Sequence, residues 1–376
     1  MGGDPQGPQC HPPLSAQPGQ GGGMTRSRSS TFGVILLLAV LLGNPGRAVA
    51  ADEAHIFIYH RFGEPRYPST NVSLSVFADQ LQVLKAAGAN VVTLGTLLGH
   101  LRAGTPLPER CVVITVDDAF TSFGAGGLPL LRRFGYPVTL FINSDSIGSA
   151  GYLTWDEIRR LARAGVEIGN QSASHDYLLD RRRGESPAQW RERVRRDLLR
   201  AQETLSRELG VTPTLFAYPY GEYDPELVEI VREIGFVGAV MQNSGVVDRS
   251  SDRFLLPRFP MGGPYATMAG FREKLALRPL PVTVLAPSTP VRLEESSPEL
   301  IIVIAEGDAD LSRLQCFVDG QPTCLVTRHP TRAGTYFVRA REAISGRRNK
   351  YVLTAPGRRK GEWFWFSQLW IRPNRP

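Results

Sequence analysis

From position 54 to about 260 the chain alternates short runs of β-branched and aromatic residues with longer amphipathic stretches. The runs predict strands over 56–59, 91–93, 112–116, 138–142, 166–168, 215–218 and 237–241. Helix ends are legible between them. Ser75 precedes a helix over 76–87 followed by Gly88, Thr154 and Glu157 form a capping box, and Asp224-Pro225 opens a helix closed by Gly235. Strand and helix in repeated alternation imply a parallel sheet. Seven or eight such units favour an irregular, closed or nearly closed (β/α) barrel, and the lack of a Gly-rich phosphate loop argues against an open doubly wound sheet. The stretch 182–209, introduced by Ser186-Pro187, reads as a long charged helix with a solvent face laced by i,i+4 pairs, and no chemistry is assigned to it.

Past Pro279 the grammar changes to Pro-punctuated β runs over 282–285, 300–305, 315–318, 335–339, 351–355 and 363–371. These predict a small all-β sandwich domain over 281–376, following the α/β domain over 51–280. In the last run Trp363 and Trp365 share one face while Phe364 and Phe366 share the other. Two readings stay open: the tryptophans form core, or they stand exposed as a sugar-stacking platform beside Arg358, Arg359 and Lys360.

The first 23 residues are rich in Gly, Pro and Gln without apolar periodicity and read as disorder or a start called too early. Met24, Arg26 and Arg28, the apolar run 32–42 and Ala48-Val49-Ala50 have the layout of a signal peptide over 24–50, with a mature chain from about Ala51; a permanent N-terminal anchor is the alternative. The run is too short for a stable membrane span. The formal charge of +7 includes Arg26, Arg28 and Arg47, and residues 281–376 hold 14 Lys/Arg against 9 Asp/Glu, so the surplus is modest and no nucleic-acid partner is expected. Cys111 opens an apolar run as a small hydrophobe. Cys316 and Cys324 flank an Asp319-Gly320 turn signal, which sets them across a hairpin where an oxidising compartment could bond them.

Chemistry concentrates where strands end. The run 112–116 leads into Asp117-Asp118, and two adjacent carboxylates at the carboxyl end of a buried parallel strand have no hydrophobic reason to be there. Neighbours on a strand point apart, so one carboxylate can hold a metal while the other moves a proton; a capping pair is the bland alternative. After the run 166–168 comes Gln171-Ser172-Ala173-Ser174-His175, whose four-residue spacing one turn brings to a single side. After 215–218 comes Pro219-Tyr220-Gly221, a turn that can aim a backbone N–H into the barrel mouth and offer Tyr220 as a wall for a sugar. His60 ends the first strand.

Taken in order, these clusters resemble the polysaccharide deacetylases of carbohydrate esterase family four, the NodB-homology fold, and within it the biofilm poly-N-acetylglucosamine deacetylases. The resemblance covers about 56–261 and includes Leu153-Thr154-Trp155-Asp156 and Leu256-Pro257-Arg258. It implies that Asp117 is the general base and Asp118 a metal ligand. It maps the family's His-Ser/Thr-x-x-His motif onto Gln171 to His175 as further ligands, makes the Tyr220 backbone amide an oxyanion donor, and makes His60 the general acid. Tyr218, Pro219 and Trp155 are the implied substrate contacts. The implied cofactor is a divalent metal ion, zinc by expectation. The implied substrate is an extracellular N-acetylglucosamine-type polysaccharide, handled in the periplasm or beyond, with exopolysaccharide export machinery as a partner. Three positions depart from the family pattern: Gln171 replaces the first metal His, Ala217 an Arg that orients the base, and Ala119 a Gly. A Gln carbonyl is a harder and weaker ligand than imidazole, so zinc affinity should fall. The rival reading is a metal-free carbohydrate-binding or scaffold protein on the same fold.

Overall fold

The computed structural model describes residues 52–375; the signal-peptide reading and Cys10 lie outside them. Seven parallel strands make up most of one curled nine-stranded sheet: β1 (Glu53–Tyr59), β2 (Asn90–Val92), β3 (Cys111–Val116), β4 (Thr139–Ile142), β5 (Glu167–Asn170), β6 (Leu215–Ala217) and β7 (Gly238–Val240). The spatial order is β1-β3-β4-β5-β6-β7, all parallel. β2 shares one edge of β3 with β4, pairing with Cys111–Val113 while β4 pairs with Thr115 and Val116.

The barrel expected from the alternation is present as a curled half-barrel. Its outer strands, β1 and β7, do not pair with each other; the irregular stretch 253–261 lies between them, and Val247–Asp248 pairs antiparallel with the start of β1. Leu256 bridges to Val240, and β8 (Phe259–Pro260) pairs with β1. Pro257 and Pro260 lack the N–H that a continuous strand would donate, so this stretch cannot become a regular closing strand.

Alternation along the strands sorts side chains into two layers. Ile56, Val113, Phe141, Ala217, Val240 and Leu256 come from six different segments and pack together inside the curl. Val112, Ile114, Val116, Leu140 and Ile142 face outward against α1 (Leu74–Ala86) and α3 (Leu128–Phe134). Three helices are absent from the expected list: α2 (Leu94–Ala103), whose Leu94, Leu97 and Leu98 plug the inner layer, α3, and α7 (Met268–Leu275). α1 is capped by Ser73, whose hydroxyl accepts from the Val76 N–H, so Ser75 sits in the first turn. α4 (Trp155–Arg163) starts at its Thr154 capping box, and α6 (Pro225–Ile234) runs between Asp224 and Gly235, as predicted. The long helix α5 (Pro187–Leu209) begins at the proline and buries Trp190, Val194, Leu198, Ala201 and Leu205, a stripe at helical spacing.

After α7 come β9 (Leu277–Pro279), β10 (Val282–Ala286), β11 (Leu300–Ile304), β12 (Gln315–Val318), β13 (Leu325–Arg328), β14 (Thr335–Arg339), β15 (Arg348–Pro356) and β16 (Trp363–Ile371). They form two four-stranded sheets, β9-β16-β15-β12 and β10-β11-β14-β13, which share one apolar cluster. A disulfide joins Cys316 and Cys324.

β16 uses both of its faces. Phe364, Phe366 and Trp370 fill the space between the two sheets. Trp363 and Trp365 pack on the outer core of the half-barrel, while Leu369 and Ile371 join Trp190 and Phe216. Trp365 Nε1 donates to the Ser244 carbonyl at 3.2 Å, and Ser367 Oγ donates to the same oxygen. The tryptophan face is therefore covered by the half-barrel, which corrects the sugar-platform reading. A strand with aromatics on both faces can bury both only between two packed layers.

Candidate active site

β3 delivers the carboxylates. The Asp117 N–H still donates to the Tyr59 carbonyl at 2.9 Å, so Asp117 keeps the strand's alternation and points inward beyond Val113 and Thr115. It is 2% exposed, and both of its oxygens are held by Arg258, whose Nη1 and Nη2 lie 2.7 and 2.8 Å away. Arg258 is fully buried and is itself fixed by Nε donating to the Met241 carbonyl at 2.7 Å and Nη1 to Thr115 Oγ1 at 3.2 Å. Truncating one member of such a pair leaves an unpaired buried charge, a cost of about 3–5 kcal/mol.

At Asp118 the chain leaves the sheet through left-handed backbone, φ 73° at Asp118 and 57° at Ala119. The second value explains the family's glycine there: an alanine must pay strain for the same bend. Asp118 Oδ1 is buried without a hydrogen-bond partner. Burial raises the Asp118 carboxyl to about 6, countered first by the charge of His60 and reinforced by Asp117. His60 is half-buried at the end of β1.

The segment after β5 is coiled by its own side chains. Asn170 Oδ1 accepts from the Ser172 N–H at 2.7 Å and Ser172 Oγ from the His175 N–H at 3.0 Å, with φ of 67° at Ser172 and 57° at His175. This brings Gln171 and His175 to one side, as their spacing predicts. Gln171 Oε1 accepts the Asp118 N–H at 3.2 Å, so its Nε2 faces His175 Nε2 at 3.1 Å and Asp117 Oδ2 at 3.4 Å. Such a donor needs a neutral imidazole with its proton on Nδ1. Burial lowers the His175 pKa and favours that neutral form, against the pull of Asp117.

The fourth contribution is the turn Pro219–Gly221. Tyr220 has φ 57°, and Gly221 has φ 70° with space for no side chain, since a Cβ there would meet Gln242 at 2.3 Å. The Tyr220 ring stacks on Tyr177 at 3.9 Å between centroids and meets His175 edge-on at 4.7 Å. Among the described residues six non-glycines have positive φ. Five of them, Asp118, Ala119, Ser172, His175 and Tyr220, lie in these three segments, and such strain clusters at functional sites.

Residues 104–239 match the family model for polysaccharide deacetylases. The chain carries a polysaccharide deacetylase domain. It is 25% identical over 215 residues to the poly-beta-1,6-N-acetyl-D-glucosamine N-deacetylase of Escherichia coli K12, a match covering 48% of this chain and 32% of that protein. It is 23% identical over 222 residues to the enzyme of the same name from Staphylococcus aureus MRSA252, covering 57% of this chain and 76% of the relative. The chain thus spans about a third of the length of the first relative. Among solved structures, IcaB from Ammonifex degensii superposes with a TM-score of 0.51 at 25% identity, over 60% of this chain and 96% of the other.

The geometry of the deacetylase domain corrects some sequence expectations. Tyr218 was expected to touch substrate, but strand alternation turns it outward with Phe216. Its ring is fully buried against Phe216 and Tyr223, and Pro219 is buried beside it. Trp155 is the first residue of α4, half-buried against the outer core. Arg258 lies in the Leu256-Pro257-Arg258 stretch, to which the sequence assigns no chemistry. The inward-facing Ala217 leaves open the place an Arg would fill, and Arg258 reaches the same carboxylate from the far edge of the sheet. The only signal for it in the sequence is an arginine within an apolar stretch, Leu255-Leu256-Pro257-Arg258-Phe259.

Members of this esterase family generally use a divalent metal. Asp118 Oδ1 and His175 Nε2, 3.4 Å apart and one of them lacking any hydrogen-bond donor, fit such an ion as neighbouring donors. Gln171 fits less well. As oriented it presents an N–H2 group to the site, and among the described residues no three His, Cys, Asp or Glu gather as a ligand set.

Proposed function

We propose that the protein hydrolyses N-acetyl groups from an N-acetylglucosamine-type polysaccharide, releasing acetate and leaving free amines. The observation that carries this reading is the buried Asp117–Arg258 pair opening onto Asp118, Gln171 and His175 at the carboxyl end of the sheet. A divalent ion, zinc by family pattern, would be held by Asp118 and His175, with Gln171 or water beside them, and would supply Lewis-acid polarisation of an acetamide carbonyl and of a water. Asp117 takes the proton of the attacking water, with Arg258 fixing which oxygen faces it. The Tyr220 N–H, aimed by left-handed backbone, donates to the oxyanion of the tetrahedral intermediate. His60 protonates the departing amine.

The names of the relatives support β-1,6-linked poly-N-acetylglucosamine as substrate, and the signal-peptide layout supports a periplasmic or secreted protein that meets exopolysaccharide export machinery. Residues 281–376 are proposed as a second, all-β domain. Among the described residues no helix is long and apolar enough to cross a membrane. A sugar-binding protein without turnover is the second reading, favoured only by the Gln171 amide. Comparing acetate release from β-1,6-linked and β-1,4-linked N-acetylglucosamine oligomers tests the substrate; equal rates on both would remove the linkage assignment.

A further inference from the structure

The turn that carries Tyr220 is held by residues contributed from more than a hundred positions further along the chain. Glu222 is 2% exposed, and both of its oxygens are taken by Arg347 through Nε and Nη2, each at 2.7 Å. The remaining nitrogen of Arg347 lies 2.7 Å from Asp180 Oδ1, and its guanidinium sits 3.7 Å from the centre of the Tyr177 ring. Tyr177 in turn stacks on Tyr220. The next residue, Arg348, donates from Nη1 to the Tyr220 carbonyl at 2.9 Å. Both arginines lie at the start of β15, where pairing of Arg348 with Ile371 and the Arg372 N–H donating to the Arg347 carbonyl at 2.7 Å fix the backbone.

We infer that Arg347 and Arg348 are positioning residues, which hold the 218–222 turn so that the Tyr220 N–H faces the reacting carbonyl. On this inference the C-terminal sheets are a structural part of the active site. The inference rests on the reading of Tyr220 as oxyanion donor. Tyr220 stands in left-handed backbone that an L residue leaves readily, and only two backbone hydrogen bonds close its turn, Gly221 to Tyr218 at 2.7 Å and Glu222 to Pro219 at 3.2 Å. A cationic donor on the Tyr220 carbonyl and a buried bidentate grip on Glu222 supply the constraint the turn lacks. An undirected packing contact would not need to grip a backbone carbonyl and the adjacent carboxylate together.

The test uses the full chain and Arg348→Ala, whose side chain is 30% exposed and so leaves no large buried void. Hydrogen exchange at the Gly221 and Glu222 amides should quicken about tenfold while the global unfolding transition stays in place. Acetate release should fall about ten- to a hundredfold in kcat with KM changed less than about twofold. Arg348→Lys, which retains one donor, should recover part of both. Unchanged exchange in Arg348→Ala overturns the inference, as does a loss expressed in KM alone. If Arg348→Ala does not fold, Arg348→Lys against wild type decides by the same two readouts. A wild-type chain that releases no acetate removes the deacetylase reading, and the exchange measurement then decides the clamp by itself.

Discussion

Arg258 and Asp117 are 141 residues apart in sequence and joined by two parallel hydrogen bonds, the guanidinium fully buried and the carboxylate nearly so. Arg258→Ala should lower the unfolding free energy by about 3–5 kcal/mol, because it strands a buried carboxylate. Combining Arg258→Met with Asp117→Asn should cost less than the two single changes added together. Urea denaturation of the four proteins checks this, and additive costs would mean that the pair is not coupled.

The metal set yields a separate expectation. Asp118→Ala and His175→Ala should both lose bound zinc, while Asp117→Asn keeps it and loses turnover. Gln171→His should tighten zinc binding, since imidazole replaces an amide whose nitrogen now faces His175. Calorimetric titration with zinc reads all four. An unaltered affinity in Gln171→His would put that side chain outside the ligand shell.

His55 provides a pH test remote from the chemistry. It is buried on β1, its Nε2 lies 2.9 Å from the Leu277 carbonyl, and burial lowers its pKa from 6.5 to about 4. The folded state therefore refuses a proton that the unfolded state accepts. The stability tied to neutral His55 is fully present above pH 6.5 and is lost as pH falls toward 4, to a total of about 3 kcal/mol. His55→Gln should flatten the denaturant midpoint across that window; an identical slope in both proteins would rule His55 out as its source.

β16 predicts that the chain unfolds as a unit. Ile371, fully buried against the outer layer of the half-barrel, should cost about 2–5 kcal/mol when cut to Ala and shift a single transition. Deleting 281–376 should lower stability and reduce activity on short oligosaccharides and long polymer alike. Loss confined to long polymer would restore a polymer-holding role for the C-terminal sheets.

What could be read from the sequence follows from how local each signal is. Strands rich in Val and Ile, the Thr154 and Asp224 caps, and the coil from Gln171 to His175 depend on neighbours a few residues apart, and all stand where expected. The missed features are long-range. Arg258 reaches Asp117 only because the sheet curls, and Arg347 reaches Glu222 only because β16 docks. The expected substrate contact of Tyr218 fails because strand alternation assigns Ala217 and Tyr218 to opposite layers. Ala217 looked like a deficit, and the structure fills it from another strand.

Acetate release by the full chain loaded with zinc, followed beside Asp117→Asn, decides whether the protein is a deacetylase. Steady release from β-1,6-linked N-acetylglucosamine oligomers is expected of the wild type, and none above background of Asp117→Asn at equal metal content. Wild-type protein that binds zinc and the oligomers yet releases no acetate would contradict the deacetylase reading.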